Sequence, residues 1–165
     1  MDLQKEIQAE FDREVAITRK MLDAIPAVAD LKWRSDPKSM PLGRLAAHTA
    51  EAAGEWAISS LSQEGWNLET GHKPWFPSNK AEILATFDKD TSTAKQILAS
   101  FPMAKWDEHW KLTSGDKIFI DQPRYLVFRT WVLNHMIHHR AQLGRDLRSL
   151  GAPIPGTYGP SADER

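Results

Sequence analysis

Cysteine does not occur among the 165 residues. That absence excludes disulfides, thiolate metal ligands and a cysteine nucleophile, so any metal must be held by His, Asp, Glu or water. Long apolar runs are missing too: no segment approaches the roughly 18 uncharged apolar residues of a membrane span. Neither sign of charge dominates, with 21 basic and 22 acidic residues mixed along the chain and a formal net charge of −1. No basic patch with interleaved aromatics stands out, and nucleic acid is not expected as a partner. The opening stretch "MDLQKEIQAEFDREVAITRK" is charged throughout and has no apolar h-region. No signal peptide is evident, and the cytoplasm is the expected location. Internal repeats and low-complexity tracts are also lacking.

What is present suits one domain, residues 1–165, with a single core. Residues 2–24 carry an amphipathic pattern in which Leu3, Ile7, Phe11, Val15, Ile17, Thr18, Met21 and Leu22 recur at helical spacings. The stretch "IPAVADLKWRSDPKSMP" reads as a connector. A second helix is predicted from about Pro41, with Ser39 as a cap, to about Leu61. "SQEGWNLETGHKPWFPSN" reads as a loop, and a third helix starts after Ser78 or Asn79 and runs to about Phe101. Residues 102–122 form a connector in which "KIFI" is a candidate extended piece. The fourth helix opens at Pro123 and runs to about Leu150, where Gly151 supplies the stop. Four long helices and almost no strand pattern predict an all-α four-helix bundle with long connectors, and bundles build sites from side chains on facing helices.

The stretch "NHMIHHRAQL", residues 134–143, sets three histidines into the fourth helix. At ~100° per residue, with His135 at zero, Tyr125, Phe128, Val132, Met136, Leu143 and Leu150 cluster between about +20° and +100°. His139 falls near +40°, inside that core stripe, His135 lies at its edge, and His138 falls near −60°. A solvated helix face explains His138 but not the other two. Histidines satisfied by core hydrogen bonds would explain them, since a buried unsatisfied polar group costs ~1–3 kcal/mol. So would a metal, because an i, i+4 pair can bring two ring nitrogens to one ion. His48 on the second helix is the candidate third ligand. It sits at the edge of an apolar stripe of Leu45, Thr49, Ala52 and Trp56, and its alanine neighbours let another helix approach closely. Three histidines with an open fourth position is the pattern of a catalytic rather than a closed structural site. No HExxH occurs, which removes the metalloprotease possibility.

"LGRLAAHTAE" followed by "HMIHHRAQLGRDLRSLGAPIPGTYGPS" resembles the DinB-like (YfiT-like) metal-binding four-helix-bundle superfamily. The shared features are a histidine on the second helix, H-x-x-x-H on the last long one, then R-x-Q-L and a Leu-Gly stop. The resemblance covers the whole chain in length and helix order, with most of its specificity in the last helix and tail. It implies that His48, His135 and His139 ligate one divalent ion, with water or substrate completing the shell. It also implies a homodimer, and a low-molecular-weight thiol as a possible cofactor, since some relatives transfer or isomerise with one. Three imidazoles suit Zn, Ni or Fe, and also Cu.

The remaining candidates read more plainly. Glu51 and Glu55 lie one and two turns beyond His48, where a carboxylate could orient a ligand or act as a base; solvated helix charges is the simpler expectation. His72 and His109 are expected to be surface histidines in connectors, and Arg140 a surface charge, while Gln142 is placed to support the histidine pair. Trp66, Trp75, Trp106 and Trp110 fall in connectors, where they line a pocket, bury a dimer surface or pack the loops. No dedicated nucleophile and no anion-binding fingerprint are found, and the catalytic residues are unknown from the sequence. The expected function is a metal-dependent transferase or hydrolase acting on a small molecule, with a non-catalytic metal-binding stress-response protein as the alternative.

Overall fold

The computed structural model describes residues 3–71 and 73–164. The first helix, α1 (Leu3–Asp23), buries Ile7, Phe11, Val15, Thr18, Met21 and Leu22 along one stripe. Next come α2 (Leu42–Ala53) and α3 (Glu55–Ser62). The sequence predicts them as one helix, and the chain breaks at Gly54. A Cβ there would lie 2.6 Å from the Cβ of Asp90, so only glycine allows the kinked backbone to come this close to the facing helix. Pro41, not Ser39, occupies the cap position of α2, and no side chain caps it.

The facing helix is α4 (Lys80–Ala99), started by Asn79, whose side chain accepts the Glu82 N–H. The Glu82 carboxylate in turn accepts the Ser78 N–H and the indole N–H of Trp75. These bonds fasten the loop before α4 in one place.

The predicted connector 102–122 is instead largely β structure. β2 (His109–Ser114) and β3 (Lys117–Pro123) form an antiparallel hairpin turned at Gly115 (φ 55), and β1 (Gly65–Asn67) adds in parallel on the outer side of β2. "KIFI" is therefore the start of β3. The sheet is held to the bundle by Trp110, whose indole N–H donates to the Ser59 carbonyl. Arg124 adds to this by donating to the Ser60 and Gln63 carbonyls, which covers the exposed end of α3.

The fourth long helix is composite. α5 (Arg124–Val127) runs into a π-helical segment, Phe128–Asn134, and then into α6 (His135–Ser149). Ideal α phase puts Leu133 about 160° from His135, away from the core stripe, yet it is fully buried. The looser winding turns extra residues inward. α2 packs on α6, α1 on α4 and α6, and α3 on α4, which makes a predominantly helical bundle with a small sheet at one end. No helix among the described residues is long and apolar enough to cross a membrane.

Candidate metal centre

α2 and α6 lie side by side, and their seam carries the histidines. His48 comes from α2, while His135 and His139 stand one turn apart on α6. Each offers a ring nitrogen, and these nitrogens all lie within 4.8 Å of one another. Ring centroids are 4.9 Å apart for His48 and His135, 4.4 Å for His48 and His139, and 4.6 Å for His135 and His139. The trio predicted from helix phase is thus brought together, close enough to hold one ion with Zn–N bonds of ~2.0–2.1 Å after small side-chain rotations. His138 is exposed and, despite its 4.8 Å ring contact with His139, stays outside the cluster.

Two of the three rings are already oriented. The Glu51 carboxylate lies 3.1 Å from Nδ1 of His48. A carboxylate only accepts, so that nitrogen carries the proton and Nε2 keeps its lone pair. Arg44 also donates to the same oxygen at 2.8 Å. Its 3.3 Å approach to Nδ1 of His48 sets donor against donor and contributes no bond. Nδ1 of His139 is likewise 2.8 Å from Oε1 of Gln142. His135 differs: its Nδ1 is buried and has no hydrogen-bond partner.

The expectation that Glu51 is a solvated charge is overturned, because it is buried and three donors converge on it. His48 and Arg44 share Oε2, and the backbone N–H of Trp75 reaches Oε1 at 3.2 Å. Burial works to raise its pKa, but the bonds from His48 and Arg44, the Arg44 charge and the Trp75 N–H outweigh it and hold the carboxyl below its ordinary range. Glu51 thus links a histidine on α2 to the loop that Glu82 fastens at the start of α4. Gln142 occupies the supporting position expected of it.

Of the remaining expectations, the surface position of His109 holds and that of Arg140 does not. His109 lies exposed on β2, bonded to Asp121, apart from the trio. His72 lies outside the described residues. Arg140 is no surface charge: it is 2 % exposed and pairs at 2.8 Å with Glu14, itself 2 % exposed. Tyr158 of the tail completes that network, its hydroxyl 2.8 Å from Glu14 and 2.7 Å from Arg140. Sequence inspection missed this network, because neither Glu14 nor Tyr158 carries a motif.

The tryptophans of the connectors pack. Trp66, Trp106 and Trp110 are buried and Trp75 is half-buried. Trp56 and Trp131 stack at 6.1 Å with their planes 14° apart, and the His135 ring stands nearly perpendicular to both, at 5.7 Å and 6.1 Å. Four buried side-chain nitrogens lack a hydrogen-bond partner among the described residues: Arg44 Nη1, Trp56 Nε1, Arg124 Nε and His135 Nδ1. Three of these belong to a histidine of the trio or to a residue in contact with one. Each such orphan costs ~1–3 kcal/mol, so their concentration at one place fits a site that a further group completes.

Burial and then the neighbouring His48 lower the pKa of both His135 and His139 to about 4. At His135 the Trp131 carbonyl opposes the shift without reaching bonding geometry. Both rings are therefore neutral and able to ligate at physiological pH. In the unfolded chain each takes up its proton near 6.5. The unfolded state binds more protons between those values, so stability is full above about 6.5 and is lost as pH falls toward 4. Urea unfolding of metal-free protein should show this decline, and a His135→Gln/His139→Gln protein should show a much shallower one between pH 6.5 and 5. Equal slopes would refute the assignment.

The DinB family model matches residues 1–165. The uncharacterized protein YrdA of Bacillus subtilis (strain 168) is 28% identical over 159 residues, covering 93% of this chain and 87% of that protein. A crystal structure of a DinB-like protein from Bacillus cereus ATCC 10987 superposes with a TM-score of 0.73 at 22% identity, over 93% of this chain and 97% of the other. At that identity the likeness is one of fold.

Proposed function

Because the chain belongs to the DinB family, we propose that it is a divalent-metal protein whose His48, His135 and His139 hold one ion, leaving a coordination position for water, a thiol or a substrate. The observation that carries this is the cluster itself, three ring nitrogens within 4.8 Å contributed by two packed helices. An ion held by three imidazoles would supply Lewis acidity, lowering the pKa of a bound water or thiol so that a nucleophile exists near neutral pH. The protein's own contribution is orientation and dryness. Glu51 keeps the proton of His48 on Nδ1, Gln142 does the same for His139, and the Trp56–Trp131 pair covers one side of His135. Zn, Ni and Fe are the ions such a donor set suits. The reaction class that follows is thiol-dependent transfer or hydrolysis on a small electrophile.

One observation favours a second function, a metal-holding protein without turnover. Glu51, the carboxylate beside His48, already accepts from three donors and is poorly placed to act as a base.

Metal analysis and cobalt substitution test the proposal. Protein purified without chelator should hold about one divalent ion per chain. Its cobalt form should change its visible spectrum when azide or a small thiol is added, because an open position accepts them. Protein that refuses Zn, Ni, Fe and Co overturns the proposal. A loaded protein with no thiol-dependent turnover of any electrophile leaves the second function.

A further inference from the structure

A cavity of about 260 Å³ opens on the seam of α2 and α6, one turn beyond the histidines, and Lys38, Ser39, Leu45, Gln142, Arg145 and Asp146 line it. No histidine of the trio does. The lining carries both signs of charge. Asp146 is 1% exposed, and Arg145 engages only its Oδ1, through Nε at 3.0 Å and Nη2 at 2.7 Å. Oδ2 accepts no hydrogen bond among the described residues, yet it is not enclosed as the four orphaned nitrogens are. The cavity is the open space that Asp146 borders. The helix does not explain a carboxylate here: a negative charge in the last turn of α6 opposes the helix dipole, and a deep charged oxygen without a donor is costly. Donors without acceptors stand around the same cavity. The Lys38 ammonium, Nη1 of Arg145 and the side-chain amide N–H groups of Gln142 make no hydrogen bond among the described residues.

We propose that this cavity binds a small zwitterion of α-amino-acid type, its ammonium donating to Oδ2 of Asp146 and its carboxylate accepting from Lys38 and Arg145. A simple anion would meet the Asp146 charge, and a simple cation would meet Lys38 and Arg145. A molecule carrying both groups satisfies each. The volume falls below the roughly 300–1,000 Å³ of pockets for drug-sized ligands, so the guest is small. Leu45 offers apolar surface to a short side chain. The site is separate from the ion, although Gln142, which holds His139, borders it.

L-Alanine, propionate and ethylamine, titrated separately into isotope-labelled, metal-free protein and followed by NMR, test this. L-Alanine should shift the amide signals of residues 38–40 and 142–146. It should bind in the millimolar range, at least about tenfold tighter than either singly charged analogue, the scale of one charge-assisted hydrogen bond. Asp146→Asn should abolish the advantage of L-alanine over propionate. Lys38→Ala, at an exposed side chain without a partner, should weaken L-alanine and propionate by about threefold and leave ethylamine and the melting temperature unchanged. Equal affinities for the three probes, shifts confined to another surface, or no binding of any probe overturns the proposal. So does an advantage of L-alanine that survives Asp146→Asn, since an Asp146 that only pairs with Arg145 would leave that affinity alone. Every outcome is read without metal, so the proposal fails or stands apart from the function of the histidines.

Discussion

The His139→Ala protein is expected to retain no divalent ion through gel filtration, and His135→Ala and His48→Ala to retain well under half of the wild-type load. Each removes one of three imidazoles whose nitrogens lie within 4.8 Å, and no other histidine among the described residues is close enough to substitute. His138→Ala should keep the ion and change stability by no more than about 0.5 kcal/mol, as most surface substitutions do. Glu51→Gln should fall between, weakening affinity about 10- to 100-fold, because an amide still accepts the His48 proton but supplies no charge. For the wild type, an ion bound only to the folded state adds about 2.7 kcal/mol at a hundredfold excess over its dissociation constant. Chelation should therefore lower the melting temperature of wild type and His138→Ala but not of His139→Ala. Retention of metal by His139→Ala, with loss in His138→Ala, would mean that the inward phase of α6 has been misassigned.

Arg140→Ala should cost about 3–5 kcal/mol in urea unfolding, the scale for breaking a buried ion pair by removing one partner. Glu14, 2 % exposed, would be left with only the longer 3.5 Å ion pairing to Arg13, a side chain that is itself largely exposed. Arg140 also donates to the Glu14 carbonyl and to Thr18, so two further acceptors on α1 lose their donor. Tyr158→Phe should cost only about 1 kcal/mol, one hydroxyl's worth of hydrogen bonding. A Glu14→Leu/Arg140→Leu double replacement should recover much of the loss, because apolar groups of similar volume carry no desolvation penalty. An Arg140→Ala protein within about 1 kcal/mol of wild type would show that the pair is not buried in solution.

The histidines were legible because a helix converts spacing into direction. His135 and His139 recur with Val132, Met136 and Leu143, and the apolar stripe fixes which way they face. The same rule misplaced Arg140, since it assumes one buried face and one wet face. α6 is covered by α2 on one side and by α1 with the tail on another, so its second side is buried too. Glu51 was visible only as a carboxylate one turn from His48. Its burial comes from the loop at Trp75, a contact across 24 residues that no local pattern encodes. The hairpin escaped because its strands are short and polar on one face, with "HWKLTS" exposing His109 and Lys111 while burying Trp110 and Leu112. Nothing marks the π segment either: "FRTWVLN" contains no proline or glycine, and its winding follows from packing on several sides rather than from propensity.

The placement of the histidines also sets an order in time. His48 is separated from His135 by 86 residues, so the seam between α2 and α6 is among the most distant pairings in the chain. Contacts of such separation carry a loop-closure cost that local contacts do not. As the polypeptide leaves the ribosome, everything up to residue 134 presents one histidine of the three. A nascent or truncated chain therefore has no means of capturing an ion at this place. On the proposed metal function, an ion would bind here only after the last long helix has been made and has packed on α2.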